Sequence, residues 1–128
     1  MLTVQEYLNL AGRNEYRDWF NKLGVAAAVK VAVAVERISQ GNTSSFKPVG
    51  EGVSECRLDW GPGYRIYLGQ DGETLVILLG GGSKRGQDAD IENAQTAWRE
   101  YKQRKAAARK ASVEATPKRK WNAQKRRK

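Results

Sequence analysis

Alternating apolar and polar residues in the middle of the chain predict three consecutive β-strands. The runs cover residues 55–60, 64–68 and 74–79, and they are separated by Gly61-Pro62-Gly63 and by a segment that contains Asp71-Gly72. Asp-Gly between β-rich runs is a strong hairpin signal, because glycine accepts a positive φ without steric cost. We therefore expect an antiparallel meander. It ends in Gly80-Gly81-Gly82 and Ser83-Lys84-Arg85, which is a candidate anion site or a simple strand end.

Apolar residues at helical spacing predict helices on both sides of this meander. A first helix should begin after Asn14, a suitable N-cap, and end at Gly24. Residues 25–38 alternate in part like a strand, but their alanine content and length favour a second helix. A third helix should begin near residue 88 and continue into residues 103–111, until Thr116-Pro117 breaks the pattern.

The order of these elements predicts an α+β fold. Residues 2–8 alternate briefly and give a short first strand, and the first two helices should form an N-terminal hairpin packed on a small, mainly antiparallel sheet. If Cys56, Leu58 and Ile66 pack inward, strand alternation brings Arg57, Arg65 and Glu55 out on an open face. The inward side of residues 64–68 cannot be chosen from that strand alone.

Charge divides the chain unevenly. Residues 102–128 contain 12 lysines and arginines and one acid, a net charge of +11, whereas residues 1–101 contain 11 cations and 13 acids, a net charge of −2. We predict one domain over residues 1–105 and a basic extension over residues 106–128, partly helical and then disordered.

Composition also limits the chemistry and the cellular compartment. The single cysteine, Cys56, excludes an intramolecular disulfide, and the absence of histidine argues against a zinc site of the usual ligands. We expect no metal and no cofactor. The sequence shows no secretory signal and no apolar run of the roughly 20 residues that a membrane span requires, so we expect a cytoplasmic protein with no membrane partner.

Several spaced motifs occur in a fixed order along the chain. They are Gly41-Asn42, Lys47-Pro48-Val49-Gly50-Glu51-Gly52-Val53-Ser54-Glu55 with Arg57, Gly61-Pro62-Gly63-Tyr64-Arg65-Ile66-Tyr67, Leu79-Gly80-Gly81-Gly82-Ser83-Lys84-Arg85, Gln87, and Asp90-Ile91. In this order they strongly resemble the addiction-module killer (HigB-like) branch of the RelE/ParE toxin superfamily, from the N-terminus to about residue 105.

The resemblance implies a small bacterial toxin that a cognate antitoxin holds inactive. Members of the RelE and HigB kinds cleave mRNA, generally on the ribosome, whereas ParE-like members inhibit DNA gyrase and are not nucleases. The fold does not choose between these activities. A third alternative is an inactive member that only binds antitoxin. The expected partner is a helix-turn-helix, HigA-like antitoxin, through which alone the chain would reach operator DNA.

Metal-free RNA cleavage requires a base near the ribose 2′-hydroxyl, cations around the phosphate and an acid for the departing 5′ oxygen. The candidate catalytic residues are Arg65, Arg57, Lys84, Arg85 and Glu55, and the candidate substrate-binding residues are Lys47, Tyr64, Tyr67, Trp60 and Gln87. Lys84 is a candidate for proton transfer, because the neighbouring Arg85 disfavours the charged form of a lysine. Glu55 and Arg57 could instead form cross-strand ion pairs on a solvated face.

The resemblance assigns two of these residues more specifically. Arg65 matches the arginine of a Gly-Tyr-Arg segment that contacts phosphate in the resembling nucleases, and Arg85 matches the arginine of their Gly-Lys-Arg segment. We therefore expect Arg65→Ala to remove growth arrest without unfolding the protein. Two positions depart from the RelE type: its catalytic lysines on the first meander strand are replaced by residues 55–57, and Ile91 stands where that type carries a base-stacking tyrosine.

Overall fold

A computed structural model describes the backbone of residues 1–126 and the side chains of residues 1–113. The chain divides into two compact units, Met1–Trp98 and Arg99–Lys128. In chain order the elements are β1 (Thr3–Glu6), α1 (Glu15–Asn21), α2 (Val25–Ser39), β2 (Phe46–Gly50), β3 (Val53–Arg57), β4 (Arg65–Asp71), β5 (Leu75–Gly82) and α3 (Gln87–Arg126). The predicted α+β class is confirmed.

The strands form one mixed sheet with the order β1-β5-β4-β3-β2. β1 pairs in parallel with β5, and the other neighbours pair antiparallel, so the predicted meander is confirmed in β3, β4 and β5. β2 has no counterpart among the strands predicted from the sequence. This strand lies at the sheet edge and its register shifts between Pro48 and Gly50, which are two residue types that weaken a strand pattern.

Helices α1 and α2 cover one face of the sheet. The side chain of Asn14 accepts a hydrogen bond from the backbone N–H of Arg17 at 2.9 Å, as predicted for an N-cap. Gly24 does not end α1 as predicted, because Lys22 is the C-cap and Gly24 is the N-cap of α2. The core beneath the helices consists of Tyr16, Val31, Ile38, Cys56, Leu58, Ile66, Leu68, Val76 and Leu78. Cys56, Leu58 and Ile66 therefore face inward as expected.

The other face of the sheet is covered by the first turns of α3. Gln87 Nε2 donates to Glu55 Oε1 at 3.3 Å, and Gln95 Nε2 donates to the Val49 carbonyl at 2.9 Å. Glu55 is only 2% exposed and Arg65 only 4% exposed. The expectation that these two side chains emerge on an open face is therefore wrong. The third helix was predicted correctly near residue 88, but its periodicity did not indicate which sheet face it covers.

The glycines of the sheet make room for side chains of the helices. Gly69 lies directly under the ring of Trp98, and a Cβ atom at that position would collide with the ring. Gly81 faces Trp19 of α1 in the same way, and Gly82 faces Asp90 of α3 on the opposite side of β5. The triple glycine is thus the end of a strand pressed between two helices.

The backbone of α3 is helical as far as Arg126. The helix therefore continues past the break predicted at Thr116-Pro117, whereas the predicted disorder of the extension stays a prediction. Arg127 and Lys128 lie outside the described residues. Over the part of the chain that the structure describes, no helix combines the length and the apolar character needed to cross a membrane.

Candidate functional site

Strand register gathers most of the predicted site residues on one face of the sheet. Arg57 of β3 pairs with Arg65 of β4, and Glu55 pairs with Tyr67 on one side and with Lys47 of β2 on the other. Residues two apart on a strand point to the same face. These five side chains therefore belong to one surface, the face that the first turns of α3 cover.

Arg65 and Glu55 form a buried ion pair at the centre of this surface. Arg65 Nε lies 3.5 Å from Glu55 Oε1, and Arg65 Nη1 donates to the Gly63 carbonyl at 2.9 Å. Among the described residues, no acceptor has hydrogen-bond geometry to Arg65 Nε. Buried charges are held in proteins by pairing, and the loss of one partner leaves the other uncompensated. Arg65 is therefore anchored inside the fold and is not presented to solvent.

Tyr67 lies beside this pair and is completely buried. Its hydroxyl has no hydrogen-bond partner among the described residues. Burial raises the pKa of Tyr67 to about 12, and the nearby carboxylates of Glu55 and Asp90 act in the same direction. The phenol is therefore protonated at neutral pH and closed to solvent, so it can contact a substrate only if α3 moves.

Four of the predicted cations are exposed around the buried pair: Arg57, Lys84, Arg85 and Lys47. The loop that carries Lys84 adjoins the Gly61-Pro62-Gly63 turn, with the Lys84 backbone N–H 3.5 Å from the Pro62 carbonyl oxygen. Arg57 ends β3, Arg65 begins β4 and Gly82 ends β5, and these three residues are in register. Arg57, Lys84 and Arg85 therefore lie at the same end of the sheet, an arrangement that attracts phosphate.

Trp60 and Tyr64 pack beside the helices α1 and α2. Their rings stack with centroids 6.1 Å apart, and Tyr64 also packs edge-on against Trp19 of α1 at 6.3 Å. The ammonium of Lys30, which belongs to α2, lies 5.9 Å from the centre of the Trp60 ring. The two aromatic candidates thus lie beside α1 and α2, while Gln87 joins the buried pair on the other face.

A groove between α2, residues 42–45 and the end of β3 was not predicted. Its volume is about 490 Å³, and it combines the apolar residues Val29, Val33, Ala34 and Ile38 with the cations Lys30, Arg37 and Arg57. Val25, Val29 and Val33 are 84%, 56% and 43% exposed. Their i, i+4, i+8 spacing is a second apolar stripe of α2, and it was the signal in the sequence that could have revealed this surface.

Cys56 lies at the base of the groove and is buried, as expected of a small apolar group. Burial raises the pKa of its thiol, although the hydroxyl of Ser45, 3.7 Å from the sulfur, acts in the opposite direction. A thiol with a raised pKa is a poor nucleophile at neutral pH.

The chain is similar to a protein of known sequence but not to any known family model. No model of a known protein family matches the chain. The chain is 41% identical over 81 residues to an uncharacterized protein of Haemophilus influenzae, and the match covers 62% of this chain and 82% of the relative. At that identity and coverage, the chain belongs to the same family as the uncharacterized H. influenzae protein.

Proposed function

We propose that the chain is the toxin of a type II toxin–antitoxin pair and acts in the cytoplasm as a metal-independent, ribosome-associated mRNA endoribonuclease. The ordered motifs that resemble HigB-like toxins support this assignment. The observation that carries it is the placement of Arg57, Lys84 and Arg85, all exposed, at one end of the sheet around the buried Glu55–Arg65 pair. That α1 and α2 are the helical hairpin of a RelE/ParE fold is part of the same proposal.

In this mechanism the exposed cations hold the scissile phosphate. The ribose 2′-oxygen attacks phosphorus, the bond from phosphorus to the 5′ oxygen breaks, and Arg57 and Arg85 stabilise the charge that develops on the phosphate oxygens. Lys84 takes the proton of the 2′-hydroxyl or supplies one to the departing 5′ oxygen, and water completes the other proton transfer. Glu55 is 2% exposed, so we assign it the task of positioning Arg65 and not a proton transfer.

The experiment is induction of the chain in bacteria, followed by mapping of mRNA ends within minutes. Cleavage should accompany growth arrest, and Arg57→Ala and Lys84→Ala should each reduce cleavage by at least about tenfold, because a charge that stabilises a transition state contributes on this scale. Lys22→Ala, which removes an exposed cation after α1, is the matched control and should cleave normally. Growth arrest with intact mRNA would contradict the nuclease.

A second candidate is a ParE-like, non-enzymatic inhibitor of DNA gyrase. Two observations favour it: the catalytic candidates Glu55 and Arg65 are paired and buried, and α2 presents an exposed apolar stripe beside Trp60, of a kind that marks protein-binding surfaces. Purified chain should then inhibit supercoiling by gyrase, and induction should damage DNA while mRNA stays intact. An inactive member that only binds antitoxin would do neither.

We also propose a helix-turn-helix, HigA-like antitoxin as the partner, and we place part of its contact on the α2 groove. The groove is apolar at its centre, with Lys30, Arg37 and Arg57 around it and Asp59 as its one carboxylate among the described lining residues. This combination fits an amphipathic segment that carries acidic residues at its margin. Co-expression of the product of the adjacent reading frame should neutralise growth arrest and co-purify with the chain.

A further inference from the structure

The stretch of α3 from Lys102 to Val113 is exposed on all sides. Every described side chain from Lys102 to Val113 is exposed. This stretch contains five cations and no acid, and residues 102–128 together contain 12 cations and one acid. Residues 102–128 thus have a net charge of +11, and the chain as a whole has a net charge of +9.

The cations of this helix are arranged by its period. Lys102, Lys105, Arg109 and Lys110 follow the spacing i, i+3, i+7 and i+8, which places them on one side of an α-helix. Arg104 lies on the opposite side. At a rise of about 1.5 Å per residue, the four cations extend over about 12 Å of helix. We call these four residues the basic face.

The helix that carries the basic face has no apolar stripe from Lys102 to Val113. Between Lys102 and Val113 the side chains other than the cations are alanine, Gln103, Ser112 and Val113, and Val113 is 60% exposed. A helix without an apolar stripe is not held by burial. The same lack of an apolar stripe argues against a membrane surface, because an interfacial helix buries a large apolar face among the lipids.

We propose that the basic face binds the phosphate backbone of double-helical nucleic acid without reading its base sequence. Four cations on one side of an exposed helix match a row of phosphates, and their binding would release condensed counterions. Between Lys102 and Val113 there is no aromatic side chain on which an unpaired base could stack. We therefore expect the basic face to bind a single strand more weakly than a duplex.

This binding does not depend on the proposed nuclease. The basic face lies in the unit Arg99–Lys128, whereas the candidate phosphate site for cleavage lies in the unit Met1–Trp98. If the toxin acts on the ribosome, the helices of ribosomal RNA present this ligand. If it acts on gyrase, duplex DNA presents the same phosphate chemistry.

The test measures binding of the full chain to labelled 20-base-pair duplexes of DNA and of RNA and to a single strand of equal length, at several salt concentrations. The test variant replaces Lys102, Lys105 and Arg109 by glutamine, a good helix former. The matched control replaces Arg13, Arg17 and Lys22 by glutamine, which removes the same charge from the unit Met1–Trp98. A third variant, Lys102→Arg with Lys105→Arg, keeps the charge.

Both duplexes should bind more tightly than the single strand, and two duplexes of unrelated sequence should bind equally. The test variant should bind at least about tenfold more weakly at 0.1 M salt, and the slope of log affinity against log salt should fall by about two to three, close to 0.9 for each lost contact. The control and the arginine variant should keep the affinity of the natural chain. Circular dichroism should show equal helix content in all variants.

Equal affinity of the test variant and the control would overturn the proposal, because the binding would then follow net charge alone. A single strand that binds as tightly as the duplexes would overturn it as well. So would preferential binding of polyglutamate of equal charge, which would identify an acidic protein as the ligand. Loss of mRNA cleavage with duplex binding retained would contradict only the nuclease.

Discussion

Glu55 Oε1 lies 3.5 Å from Arg65 Nε, and this ion pair is buried beneath the first turn of α3. The position of Arg65 changes how a mutation there must be interpreted. Loss of toxicity in Arg65→Ala would report loss of the fold as readily as loss of a phosphate contact. The exposed residue Arg57, which pairs with Arg65 in the sheet register, is the more informative position for a functional test.

Glu55→Gln should lower the free energy of unfolding by about 3–5 kcal/mol, because it leaves the Arg65 guanidinium buried without its counter-charge. Arg57→Ala, on the same face but exposed, should change it by less than about 0.5 kcal/mol. Replacement of both Glu55 and Arg65 by methionine should recover much of the loss. Urea unfolding of the three variants and the natural chain measures these differences. Equal stability of Glu55→Gln and the natural chain would show that the ion pair does not stabilise the fold.

Gly81→Ala should destabilise the protein by about 1–3 kcal/mol, because the added methyl group would collide with the ring of Trp19. Gly80→Ala is the matched control, since a Cβ atom there meets nothing within 4 Å. Thermal unfolding of both variants checks the difference. If the contact with Trp19 causes the destabilisation, Gly81→Ala should cost less stability in a Trp19→Leu background than in the natural chain.

Tyr67 should make the protein less stable at high pH. Its pKa is raised to about 12 in the fold, mainly by burial, while an unfolded tyrosine ionises near 10. The stabilisation that the neutral phenol supplies is complete below about pH 10 and is lost as the pH rises through 12. Tyr67→Phe should flatten this dependence between pH 10 and 12, although Tyr16, whose pKa is also raised to about 12, will keep part of it.

At neutral pH, Tyr67→Phe should be neutral or stabilising by about 1 kcal/mol. The substitution removes a buried hydroxyl that has no hydrogen-bond partner among the described residues. Urea unfolding at pH 7 checks this. A loss of more than about 1 kcal/mol would mean that the hydroxyl has a partner in solution.

Val29→Asp should abolish binding of the proposed antitoxin with a change in stability below about 1 kcal/mol, because Val29 is 56% exposed on α2. Val31→Asp, two residues away, should unfold the protein, since Val31 is completely buried. Co-purification and thermal unfolding of both variants separate the exposed stripe of α2 from its buried one. Binding that survives Val29→Asp would place the partner elsewhere.

Local sequence patterns predicted the helices and strands better than they predicted how these elements pack on one another. Alternation identified β3, β4 and β5, and helical spacing with the Asn14 cap identified α1. Alternation could not show that α3 covers Glu55 and Arg65. A strand with a charged residue at every second position has the same sequence pattern whether that face is open to solvent or holds a buried ion pair. One signal was present: residues 75–79 are apolar without interruption, which is typical of a strand buried on both faces.

The sequence predicted which residues form the candidate site, but it did not predict which of them are exposed to solvent. The resemblance and the residue types named Arg57, Arg65, Lys84 and Glu55, and strand register places Arg57, Arg65 and Glu55 on one face, with Lys84 in the adjoining loop. Whether a site residue is buried or exposed depends on long-range contacts such as the hydrogen bond from Gln87 to Glu55, which are about 30 residues apart in the chain. Such long-range packing has no local pattern in the sequence.

The glycines at the end of β5 also determine how the protein can change by mutation. The side chain of Trp19 from α1 packs against Gly81, and the side chain of Asp90 from α3 packs against Gly82 on the opposite side of β5. Lys84 and Arg85 follow directly after. The cations can therefore be exchanged for other residues at little structural cost, whereas any larger residue at positions 81 or 82 would push a helix away and alter the surfaces on both sides of the sheet together.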